Sequence, residues 1–232
     1  MHELIHLFPL TIYKNLVGLD LKERKKLIDL ILEMEKKSLK NNLDKKEKQS
    51  WLGDINGYEN LQLNSQFDQL FNLIVLNIKK YIDFLNVDIN QLDIYIQRSW
   101  PTISRGGENI APHSHHQSHI SFAYYLKKNE NDSKIVFHNS AAQNEFVPKL
   151  FSSHSVAKKS IIKKIDLLCA PVVQVSSKED EIIIFPSKSR HSTQPGSDNV
   201  ERISISADIS IVVKNSDGLE HFIPPLKNWK KF

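Results

Sequence analysis

Cysteine, glycine and long apolar runs are all scarce in this chain, and each scarcity closes off a class of protein. The single cysteine, Cys169, excludes an intramolecular disulfide and points to a reducing, cytoplasmic setting. That thiol is flanked by Leu168, Ala170 and Pro171, with no histidine that can be placed beside it, so nucleophilic catalysis has little support. Among the 7 glycines there is no glycine-rich phosphate-binding motif. No stretch approaches the ~18–20 apolar residues of a membrane span. The opening Met-His-Glu-Leu-Ile-His lacks the charged start and apolar run expected of a signal peptide. Charge of one sign is also scarce. The formal net charge is +4, and the lysine clusters at 22–26, 36–37, 45–48 and 158–164 are interspersed with acids or apolar residues. They read as solvated faces, which argues against nucleic acid as a partner.

What is present is ordinary for a soluble globular protein, 40% hydrophobic and 25% charged, in a chain of 232 residues that can bury one sizeable core. The pattern divides it in two. Residues 1–90 read as a helical support region and residues 91–232 as a β-rich core, the two forming one integrated domain. Asp20 with Glu23 caps a run carrying Leu27, Ile28, Ile31, Leu32 and Met34. Ser65 with Asp68 caps a second, with Leu70, Phe71, Ile74, Ile78, Tyr81 and Ile82 at helical spacing. From Leu92 the period shortens. Strands are expected at 92–96, 120–126, 134–138, 171–176, 181–185 and 203–213, with Asn129–Asp132 as a hairpin turn between the second and third. The irregular segment 140–170, with Phe146, Phe151, Lys158 and Lys159, has the length of a loop or lid. Helices first and strands afterwards indicate an α+β fold, helices packed on one side of a mostly antiparallel sandwich or barrel.

The chemistry concentrates in two places. Residues 113–119 hold four of the ten histidines. His113 and His115 share a face if that segment is extended, since side chains alternate with period two. His115 and His119 would share it too on an unbroken strand, whereas His116 has the opposite parity. A third imidazole from a distant strand, His191, would complete a facial metal site with open positions. Arg202 follows, and its strand alternates: Arg202, Ser204, Ser206 and Asp208 on one face, Ile203, Ile205, Ala207 and Ile209 on the other. The polar row faces either bulk water or the inside of a small barrel, and the pattern alone leaves both open.

The ordered set His113-Ser-His115, Ser121, Tyr124-Tyr125-Leu126, Ile183-Ile184-Phe185-Pro186-Ser187, His191 and Arg202-Ile-Ser204-Ile-Ser206 resembles the Fe(II)/2-oxoglutarate-dependent oxygenase superfamily. It is most similar to a bacterial and phage group with the same His-x-His spacing. The resemblance runs over nearly the whole chain. It implies a double-stranded β-helix (jelly-roll) core with supporting N-terminal helices. It implies His113, His115 and His191 as ligands of Fe(II), with His115 where most of the superfamily has Asp or Glu. It assigns Arg202 to the distal carboxylate of 2-oxoglutarate, with Tyr125, Ser204 and Ser206 as further contacts. Two residues depart from the group: Phe122 stands where Gly is common, and Asp208 where Asn is usual. Phe122 is expected to affect packing on the outer face. Asp208, on the inward face, is a candidate substrate contact.

The implied reaction is oxidative decarboxylation of 2-oxoglutarate to succinate and CO2, coupled to hydroxylation of a C–H bond in a small molecule or an amino-acid or peptide side chain. Two other readings stay open: a three-histidine cupin-type dioxygenase that does not use 2-oxoglutarate, and a non-catalytic jelly-roll binding module.

Overall fold

The computed structural model describes residues 3–39, 50–130, 132–151, 161–197, 201–219 and 222–232. Two helices form where the periodicity puts them. α1 (Leu21–Leu39) begins where the Asp20 carboxylate accepts the Lys22 N–H at 2.8 Å. α2 (Asp68–Phe84) is entered through a 3-10 turn at Ser65–Phe67, and its cap is Asn64 rather than Ser65, with the Asn64 Oδ1 accepting from the Gln66 N–H at 3.1 Å. An Asn side chain reaches the amide two residues on, which tightens the entry into a 3-10 turn before the α-helix starts. The buried stripe of α2 is the expected one, with Leu70, Ile74 and Ile78 fully out of solvent.

The strands are β1 (Tyr13–Leu16), β2 (Trp51–Leu52), β3 (Leu92–Ser104), β4 (Ile120–Lys127), β5 (Ile135–His138), β6 (Val172–Val175), β7 (Glu181–Pro186), β8 (His191–Thr193) and β9 (Arg202–Val213). They build a six-stranded antiparallel sheet in the order β1-β7-β4-β9-β3-β2 and a three-stranded antiparallel sheet in the order β6-β5-β8. The two sheets face each other through Tyr125, Ile183 and Phe185 on one side and Ile135 and Phe137 on the other. This is an α+β fold with a double-stranded β-helix core. Among the described residues no helix is long and apolar enough to cross a membrane.

The open question about β9 is settled by what covers each of its faces. Ile203, Ile205, Ala207 and Ile209 join Phe122, Tyr124, Ile182 and Ile184 in a core sealed by the two helices. The polar row of β9 consequently faces the space between the sheets. Phe122 packs on the helix-side face as expected, 1% exposed.

Two expectations change. The N-terminal ninety residues are not purely helical: β1 pairs with β7 and β2 with β3, so this region contributes both edges of the large sheet. Short edge strands of four and two residues carry too little alternation to be seen in sequence. The turn at Asn129–Asp132 exists, with the Asp132 N–H on the Asn129 carbonyl at 3.2 Å, but β4 and β5 lie in opposite sheets and do not form a hairpin. Ile135 and Phe137 find their ladder partners in β6 and β8, and pack across the core against the row that β4 turns inward. In the segment 140–170 the described residues are turns, Phe146 is exposed, and Lys158 and Lys159 lie outside the described residues, as do Lys45, Lys46 and Lys48.

One buried carboxylate ties the layers together. Asp180, in a left-handed conformation (φ 65°), accepts the Gly18 N–H at 2.9 Å, the Leu19 N–H at 3.2 Å and the Tyr124 hydroxyl at 2.9 Å. Burial and the adjacent Asp180 charge push the Tyr124 pKa up. Removing one charged acceptor strands three donors. Asp180→Ala is therefore expected to destabilise the fold by about 3 kcal/mol, with Asp180→Asn losing less. Thermal unfolding checks this: for a chain of this size the alanine variant should melt roughly 6–12 °C lower.

Candidate functional site

His113 sits at an isolated antiparallel bridge with His191, each N–H donating to the other's carbonyl at 2.9 Å. The His115 N–H donates to the Ser187 carbonyl at 3.0 Å, so the segment after Gly106-Gly107 is stitched to the β7–β8 connection residue by residue. The result brings the three predicted imidazoles together. Their ligand atoms all lie within 4.8 Å of one another, and ring centroids are 4.3 Å (His113–His191), 5.0 Å (His113–His115) and 5.4 Å (His115–His191) apart. His119 is turned away, its Nδ1 accepting the Ile211 N–H at 3.0 Å.

The tautomers follow from the partners of Nδ1. In His113 this atom faces the Ala111 carbonyl at 2.8 Å, in His191 the Ser189 carbonyl at 2.9 Å, and in His115 the Asp208 Oδ1 at 2.8 Å. A carbonyl or carboxylate only accepts, so each Nδ1 carries a hydrogen, which leaves Nε2 as the ring nitrogen available to a metal. Desolvation, with the other two rings close by, pulls the His191 pKa down to about 3, and it lowers that of His113. These two rings are neutral at ordinary pH, the state a metal needs. The walls hold the rings in place: Trp100 stacks on His115 at 5.8 Å and Phe185 meets His191 edge-on at 4.6 Å. Three converging imidazoles fit a divalent transition metal such as ferrous iron.

A cavity of about 360 Å³ runs from these rings to Arg202, which lies at the foot of β9. Arg202 is 3% exposed. Its guanidinium donates to Ser104 Oγ at 2.9 Å, to Thr193 Oγ1 at 3.3 Å and to the Ser133 hydroxyl. No carboxylate among the described residues forms an ion pair with it, and burial pushes its pKa down. A buried cation surrounded by neutral hydroxyls fits an anionic group that enters from the cavity, and a carboxylate matches the planar fork. Tyr125, Ser204 and Ser206 line the same cavity, as expected from their parity, and Tyr125 is 2% exposed.

Asp208 is elsewhere. The residue expected to meet substrate has no exposed surface and does not line the cavity; its carboxylate stands behind His115. Burial raises its pKa, but the bonds from His115 and Arg98 lower it further, to about 2. Residues the sequence reading passed over complete the site. β3 places Arg98, Trp100, Thr102 and Ser104 opposite Asp208, Ser206, Ser204 and Arg202. Their alternation is a signal in the sequence, masked by the register shift between Ile96 and Arg98, which turns the row begun at Leu92, Ile94 and Ile96 to the other face. Ser133 and Thr193 come from a loop and a three-residue strand, and nothing in their local sequence marks them.

Residues 98–208 match the family described as "Putative 2OG-Fe(II) oxygenase". No curated protein matches the chain. Among solved structures, HygX from Streptomyces hygroscopicus, crystallised with nickel and 2-oxoglutarate, superposes with a TM-score of 0.54 at 9% identity, over 87% of this chain and 83% of that one. AviO1 from Streptomyces viridochromogenes Tue57 gives 0.54 at 10% identity, over 93% and 92%. The non-heme alpha-ketoglutarate-dependent epimerase SnoN from nogalamycin biosynthesis gives 0.52 at 11% identity, over 89% and 82%. At these identities the likeness is one of fold.

Proposed function

We propose, from the premise that residues 98–208 belong to the 2OG-Fe(II) oxygenase family, that this chain is an Fe(II)/2-oxoglutarate-dependent dioxygenase that hydroxylates a C–H bond of a small molecule or of an amino-acid or peptide side chain. The observation that carries the reading is one cavity with His113, His115 and His191 at one wall and, at another, a buried guanidinium that no carboxylate among the described residues pairs. Support for small molecules comes from HygX, which was also crystallised with hygromycin B bound. The neighbouring epimerase is a reminder that one site chemistry serves several outcomes. We take residues 1–90 and 91–232 as one integrated domain, because β1 and β2 pair into the sheet of the core.

In this mechanism His113, His115 and His191 would hold ferrous iron at the wall of the cavity. Bound ferrous iron, with 2-oxoglutarate and O2, supplies an oxidant able to take hydrogen from an unactivated C–H bond, yielding succinate, CO2 and the hydroxylated product. Arg202 orients the co-substrate by its far carboxylate, and Ser104, Thr193 and Ser133 keep the guanidinium aimed whether or not an anion is present. Tyr125 and Ser204 extend the same polar floor. Phe185 and Trp100 hold the rings and exclude water from the metal side. Asp54 and Arg98 also line the cavity.

The test is to add Fe(II) and 2-oxoglutarate to metal-free protein without oxygen. The expected result is the weak visible charge-transfer band of a chelated complex, then succinate release on admitting oxygen. Iron binding without any band would instead favour the three-histidine dioxygenase, and no iron binding at all the non-catalytic module.

A further inference from the structure

The three histidines are not equivalent. Two donate their Nδ1 hydrogen to neutral backbone carbonyls, and the third, His115, donates to a carboxylate. We infer that Asp208 is a positioning residue that acts on the metal through His115, supplying from behind the ring the negative charge that three imidazoles lack. The inference rests on the metal reading above.

The carboxylate sits on the middle one of three adjacent antiparallel strands. Asp208 on β9 lies opposite Arg98 on β3 and Ser121 on β4. Its Oδ2 accepts from Arg98 Nε at 2.7 Å. Its Oδ1 takes the His115 N–H at 2.8 Å and sits 3.2 and 3.4 Å from the hydroxyls of Ser118 and Ser121. Both of those serines also bond Ser187 Oγ at 2.8 Å, which closes the network. With no exposed surface, the carboxylate meets neither substrate nor bulk water.

Two consequences follow for the metal. The His115 ring is pinned between Asp208 on its edge and Trp100 on its face, so its Nε2 is aimed before any metal arrives. A carboxylate drawing on Nδ1–H also makes Nε2 a stronger donor, and acceptors behind a metal-bound histidine typically matter about 10–100-fold in affinity. Arg98 pairs with the carboxylate at 2.7 Å but offsets it only in part, because it also serves a second carboxylate. Its guanidinium is a third exposed, lies over Trp100 at 4.6 Å and is shared with Asp54 at 3.7 Å. A net negative charge close to the metal favours the ferric over the ferrous ion, so the effect separates from simple support of the fold.

The experiment compares wild type, Asp208→Asn, His115→Asp and the double variant His115→Asp/Asp208→Asn. The readouts are anaerobic Fe(II) and Co(II) affinity, the Fe(III)/Fe(II) midpoint of the loaded protein, and thermal stability. Asparagine fills the same space and still accepts from His115, but carries no charge. Asp208→Asn should loosen Fe(II) by roughly tenfold. It should loosen Fe(III) about tenfold more, which raises the midpoint by about 59 mV. His115→Asp places two carboxylates together and should bind Fe(II) more weakly than the double variant, which moves the charge into the ligand set. The midpoint is read only from loaded protein, so partial loss of fold does not obscure it. An unchanged midpoint in Asp208→Asn, or a double variant that binds no better than His115→Asp, overturns the inference and leaves Asp208 as a structural tie. If wild type itself binds neither metal, the metal reading fails first and takes this inference with it.

Discussion

His191→Ala should strip the protein of stable iron binding while leaving it folded. Four-ligand structural zinc sites are worth about 10–16 kcal/mol in total, so one imidazole accounts for on the order of 3 kcal/mol, or roughly 10²-fold in affinity. His191 is the ligand to remove because its backbone does the structural work. The reciprocal bonds with His113, the Nδ1 contact to Ser189 and the placement of β8 involve either main-chain atoms or the ring's rear edge, and an alanine keeps the first of these. What the side chain contributes to packing is contact with Phe185 and Phe137, a modest loss. Metal titration by calorimetry, with circular dichroism as the control for folding, separates the two effects. A companion outcome follows from its pKa. The ring is neutral in the fold down to about 3, against an ordinary value of 6.5, so the unfolded chain binds the extra proton first. The metal-free wild type keeps this contribution above pH 6.5 and loses it as pH falls toward 3, because stability rises with pH wherever the unfolded state holds more protons. The alanine variant has no such group and should lose less stability over that window. Iron affinity within a few-fold of wild type would remove His191 from the ligand set.

Much of this was legible because the informative residues announce themselves by parity. The β9 row predicted which side chains share a face, and the residues behind Ile203 and Ile205 were the ones that line the cavity. What sequence could not say is which face is inside; that depended on two helices from a region some hundred residues earlier covering the apolar row. Likewise, His-x-His names two ligands only if the segment is extended, and here the backbone bonds to Ser187 and His191 make it so. Asp208 lies on the face that parity assigns it, but its neighbour is His115 rather than the cavity. Period two reports a face, whereas burial on the middle one of three strands is set by Arg98 and Ser121 on other strands. Ser133 and Thr193 were beyond reach for a related reason. A hydroxyl that holds a guanidinium has no pattern of its own, and only the closing of the small sheet over Arg202 brings them there.

The second large effect is expected at Arg202, and its signature is two changes that do not run in parallel. In the metal-free, ligand-free protein a buried guanidinium with no carboxylate partner among the described residues is a liability. Its desolvation costs several kcal/mol, only partly offset by three hydroxyls. Methionine fills a similar volume without the charge, so Arg202→Met should melt at the wild-type temperature or above it. 2-Oxoglutarate should bind far more weakly, because its far carboxylate would meet an apolar end and stay desolvated. Breaking a buried charge pair costs about 3–5 kcal/mol, or roughly 10²–10³-fold in the dissociation constant. Fe(II) alone should bind as in wild type, since the guanidinium shares no bond with the three imidazoles. A residue that merely braced the fold would give the opposite pair of results, a lower melting temperature with little change in co-substrate affinity. Arg202→Met binding 2-oxoglutarate within threefold of wild type would mean that the guanidinium is not the anchor. The uncompensated charge at the cavity floor would then have to answer to some other anion, and the 2-oxoglutarate reading would lose the observation that separates it from a three-histidine dioxygenase.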